Sequence, residues 1–91
     1  MHDLSAEQTA EAFRVSKAIQ PALCGLDDAV QGAVIADLLS LWLAGHFVWG
    51  NEEATHELRQ ELLRMHIQAV IDLVPESAKE IANRFPTAGN A

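Results

Sequence analysis

The side chains able to do acid–base or metal chemistry are few in this chain and widely spaced. Four histidines and one cysteine accompany thirteen acids. Glu53-Ala54-Thr55-His56 has the Glu-x-x-His spacing that places a carboxylate and an imidazole on one helical face, as in di-iron bundles. Such sites need two of these motifs and further carboxylates, and no second copy is present. His46, Glu53 and His56 are therefore weak metal candidates without a zinc-ligand spacing, and no cofactor is expected. Cys24 has no neighbouring His, Lys or Arg in sequence to favour a thiolate and reads as a small buried hydrophobe. The glycines at 25, 32, 45 and 50 form no phosphate-binding pattern, and no catalytic residue is assigned.

A different set of polar residues carries more information. Asp37 lies in the middle of a strongly apolar stretch, residues 26–49, and no Lys or Arg occurs anywhere between residues 18 and 58. Arg59 and His66 lie seven positions apart near the middle of the apolar side of a later helix. A carboxylate buried without a partner costs several kcal/mol or takes up a proton, so pairing of Asp37 with Arg59 or His66 is the economical expectation. Structurally, this trio is a buried polar contact that fixes the register between two helices. Functionally, it is an acid and a histidine available for acid–base chemistry or a pH response. The structural role is favoured, because no nucleophile or anion-binding loop accompanies the trio.

The elements that must position these residues are helical. Ser5 with Gln8 forms a capping-box pattern, and the first helix is expected over residues 6–19, stopped by Pro21. Its apolar stripe is Ala12, Phe13, Val15 and Ile19, with Glu7, Glu11, Arg14 and Lys17 facing water. Gly25 is free to take a positive φ, and Asp27 or Asp28 can cap a second helix over residues 28–44 that ends at Gly45. His46-Phe47-Val48-Trp49-Gly50 is too apolar for a free loop, so Phe47 and Trp49 should be tucked against the bundle or a partner. Asn51 opens a third helix that runs to residue 73. Pro75 then opens a short fourth helix over residues 76–84, ended by Phe85-Pro86. Residues 1–5 and 86–91 read as frayed termini of a single helical domain.

The second helix is apolar on two sides. Ala29, Gly32, Ala33, Ala36, Ser40 and Ala44 form a strip of small residues that lets another backbone come close, while Ile35, Leu38, Leu39 and Trp42 supply the bulk. A helix apolar all round must be surrounded, and a chain of 91 residues can hardly do so alone. The expected fold is thus an all-α small bundle of three long helices and one short one, completed by dimerisation. Its interface would be formed by Gly32, Ala36, Ser40, Trp42, Phe47 and Trp49.

Composition narrows the function. The formal net charge of -7 repels phosphate backbones and anionic membranes, so no nucleic-acid partner is expected. Residues 30–49 are long enough to span a bilayer, but Asp37 near the centre costs about 2.5–3.5 kcal/mol against about 0.3–0.6 returned by each Leu, Ile, Val or Phe. Acids at 27, 28, 52 and 53 flank that stretch in place of Lys or Arg, which also opposes insertion. The N-terminus lacks the basic and apolar regions of a secretory signal, so the mature chain is expected to start at Met1. A lone cysteine fits a reducing cytoplasm. The residues point to a non-enzymatic, acidic, cytoplasmic interaction or regulatory module that self-associates and offers a helical or apolar surface to a protein partner. The alternative is a small-molecule or metal-binding protein, with catalysis open to it, built on Asp37, Arg59 and His66.

Overall fold

The computed structural model describes residues 4–84. Those residues are all-α, in three helices: α1 (Ala6–Leu23), α2 (Asp28–Ala44) and α3 (Glu52–Arg84). The chain divides into two units, Met1–Gly45 and His46–Ala91. The tail expected to fray over residues 86–91, the Phe85-Pro86 stop and the first three residues lie outside the described residues.

In the first unit the start of α1 follows the expected capping box. Gln8 N–H donates to Ser5 Oγ at 3.1 Å, and Ser5 N–H donates to Gln8 Oε1 at 2.9 Å, which satisfies two donors that a helix terminus otherwise leaves open. The end of α1 is a correction. Pro21 does not stop the helix, which continues to Leu23. A proline three residues from the end deletes one N–H and therefore one helical bond, while its own carbonyl still accepts from Cys24 N–H at 3.3 Å. Gly25 takes φ +83° in the turn that follows. Gln31 Nε2 reaches back from α2 to the carbonyl of Leu23 at 2.7 Å, so a side chain of the second helix satisfies an open carbonyl of the first. Asp27 is the residue before α2, without a side-chain capping bond, and Gly45 ends α2 in a right-handed conformation at φ -70°.

The second unit is one turn and one long helix. Asn51 Oδ1 accepts from Ala54 N–H at 2.9 Å and caps α3. The helix then runs through Pro75 to Arg84, so residues 76–84 continue α3 instead of forming a separate short helix. Proline lacks the N–H that would bond Ile71 and crowds that carbonyl, at a cost of about 3 kcal/mol in a helix interior. Ion pairs Glu76–Lys79 and Glu80–Arg84 support the turns beyond it.

No described residue is buried. On α1 only Lys17, Gln20 and Leu23 are half-buried, whereas the expected stripe of Ala12, Phe13, Val15 and Ile19 is exposed. On α2 Gln31, Val34, Leu39 and Leu43 are half-buried, and Val30, Ile35, Leu38 and Leu41 stand in solvent. On α3 the half-buried positions Ala54, Thr55, Leu58, Arg59, Leu62, Leu63, Met65 and His66 recur at helical spacing and follow one face. Beyond His66 the apolar side of α3, including Val70, Ile71, Leu73 and Val74, is exposed.

Candidate functional site

The polar trio divides between the two units. Asp37, on α2, is exposed, so the burial expected of it is not met within one chain; its carbonyl accepts from Ser40 Oγ at 2.8 Å. Arg59 and His66 both sit in the half-buried stripe of α3. Arg59 Nε donates to the His46 carbonyl at 3.0 Å, which ties the segment after α2 to the second turn of α3. In the single chain, therefore, the guanidinium does a structural job for the loop.

The six residues expected at an interface are all exposed in the single chain. Gly32, Ala36 and Ser40 are exposed on α2, and a Cβ added at Gly32 would meet nothing within 4 Å. Trp42 is 38% exposed, Phe47 54% and Trp49 88%. Phe47 and Trp49 are thus not covered by their own chain, although their rings contact each other at 5.4 Å between centroids, tilted by 45°. Cys24 is exposed in the turn after α1, which corrects the reading of it as a buried hydrophobe.

The loop that carries the two aromatics is built from backbone logic. Asn51 N–H donates to the Val48 carbonyl at 3.1 Å and closes a four-residue turn with Trp49 and Gly50 at its corners. Gly50 has φ +72°, the value that the third residue of a type II turn requires and that glycine adopts without strain. Thr55 holds the turn from α3. Its hydroxyl accepts from Val48 N–H at 2.9 Å and has one proton to share between the carbonyls of Asn51, at 2.8 Å, and Val48, at 3.1 Å. Thr55 drew no attention in the sequence except as a spacer in Glu-x-x-His. In the sequence, residues 46–50 read only as a segment too apolar for a free loop, and the brace four residues beyond Asn51 depends on how that loop folds back.

The chemistry available for catalysis or metal binding is sparse. Among the described residues no three His, Cys, Asp or Glu side chains gather closely enough to hold a metal ion. His46 is half-buried, whereas Glu53 and His56 are exposed. A shallow depression lined by Val48, Gly50, Asn51, Glu52 and Thr55 opens beside the turn, with Thr55 committed to the backbone. Arg14 hydrogen-bonded to Glu11, and Arg64 hydrogen-bonded to Glu61, hold those carboxyls below the ordinary range. Both pairs are fully solvated helix-surface contacts three residues apart. Among the described residues no helix is long and apolar enough to cross a membrane. No family model, curated protein or solved structure matches the chain.

Proposed function

We propose that this chain is an interaction module that completes its core by self-association through α2. The observation that carries the reading is the exposure of α2. Val30, Ile35, Leu38 and Leu41 are 47–63% exposed on a helix whose only charges beyond its first residue come from Asp37. Exposed apolar side chains of this number and contiguity mark a surface that another protein covers. Each unit is too small to cover it alone, since chains near 40 residues need a staple or a partner to hold a core. A second copy is the most economical partner, because a two-fold contact uses one patch twice.

Once α2 is covered, the Asp37 carboxylate needs a counterpart. Arg59, His66 or a bound proton are its candidates, and the contact then selects the register of association more than its strength. The small residues Gly32, Ala36 and Ser40 would admit a second backbone closely, while Trp42 lies with the bulky residues on the other side of α2. Sedimentation equilibrium of the purified chain tests the reading. A dimer mass that dissociates on dilution is expected, and Leu38→Asp should hold the protein monomeric. A monomer at every concentration overturns the proposal.

A further inference from the structure

We infer that the Val48–Asn51 turn is a preformed anchor that inserts Trp49 into a second copy of this chain, with Thr55 as the residue that positions it. The inference rests on the self-association just proposed and adds its central contact. Among the described residues Trp49 is the most exposed of the large apolar side chains, at 88%, and it occupies the second position of a tight turn. The turn is held before any partner arrives. Val48 is bonded through both its N–H and its carbonyl to the Thr55 hydroxyl, the His46 carbonyl accepts from Arg59, and Asn51 caps α3. An indole presented on a rigid turn loses little conformational entropy on burial, which is why preorganised tryptophans dominate binding energies.

The occupant is argued from area and charge. Phe47 and Trp49, whose rings touch, together expose on the order of 300 Å² of ring-bearing surface, over a third of the ~800 Å² that each partner of a stable interface contributes. Between Ala29 and Asn51 the only charged residue is Asp37, so two copies meeting over this stretch bring few like charges together despite the acidic whole. A membrane surface is a poorer occupant, because exposed Glu52, Glu53 and Glu57 follow the turn and no Lys or Arg occurs from residue 18 to residue 58 to meet anionic headgroups.

The test uses the full chain with Trp42→Phe, so that Trp49 is the only indole. Its emission maximum and acrylamide quenching are followed as concentration rises through the association measured by sedimentation. A blue shift and a several-fold loss of quenching on association are expected. Trp49→Ala should raise the dimer dissociation constant about 30-fold or more. Thr55→Val should raise it about tenfold by freeing the loop, while Thr55→Ser, which keeps the hydroxyl, restores it. A dimer in which Trp49 is quenched as in the monomer overturns the anchor and leaves association through α2 standing. Unchanged dimerisation of Thr55→Val overturns the positioning role. A chain that stays monomeric overturns the self-association reading, and the anchor with it. If Trp42→Phe itself abolishes association, the wild-type chain compared with Trp49→Phe gives the same quenching difference.

Discussion

Asp37 shows how much a single residue can and cannot disclose. Its position in an apolar stretch without a base was legible, as were Arg59 and His66 on the inner side of the third helix, where both are half-buried. Its environment was not, because burial is a property of what covers α2 and one chain leaves it exposed. Asp37→Asn keeps the shape and removes the charge. If Asp37 fixes the register of association, this variant assembles with altered affinity or stoichiometry by sedimentation; unchanged assembly and stability would remove Asp37 from the account. Glu11 and Glu61 make a smaller prediction. Their carboxyls titrate below the ordinary range when folded, because Arg14 and Arg64 bond the charged forms. Their contribution is therefore present above the unfolded pKa and is lost as pH falls through the lower, folded one. Circular dichroism should show a shallow loss of helicity in that acidic window, and Glu11→Gln with Glu61→Gln should flatten it.

At the scale of elements, boundaries set by backbone chemistry were legible and those set by proline were not. Ser5 with Gln8, Gly25 and Asn51 each act where their side chains or φ angles require, and α2 ends at Gly45 as expected although its φ of -70° is open to any residue. Pro21 and Pro75 read as stops because proline opposes helix, yet α1 and α3 run through them. The penalty is local: near the end of α1 little helix remains beyond Pro21 to be lost, and in α3 the exposed pairs Glu76–Lys79 and Glu80–Arg84 return only about 0.2–0.5 kcal/mol each of the proline cost. Pro75→Ala should then stabilise α3 by about 3 kcal/mol at most and raise the midpoint of thermal unfolding; a lower midpoint would mean that proline shapes the helix for a contact. Gly50 is the opposite case. Its φ of +72° makes Gly50→Ala cost about 1–2 kcal/mol, readable by denaturant unfolding, although nothing crowds an added Cβ there.

The whole molecule is governed by what it leaves uncovered. The all-α class and the three long helices follow from periodicity, as does the apolar circumference of α2 on which the proposed association rests. What periodicity could not disclose is that the stripe on α1 and the distal half of α3 are also exposed, along with Trp49 on its braced turn. Analytical ultracentrifugation at equilibrium, over a concentration range broad enough to populate both species, tests the central claim most directly. The account predicts a reversible approach to twice the chain mass of 9.9 kDa, weakened by Leu38→Asp and by Trp49→Ala. A single species of 9.9 kDa throughout would contradict it.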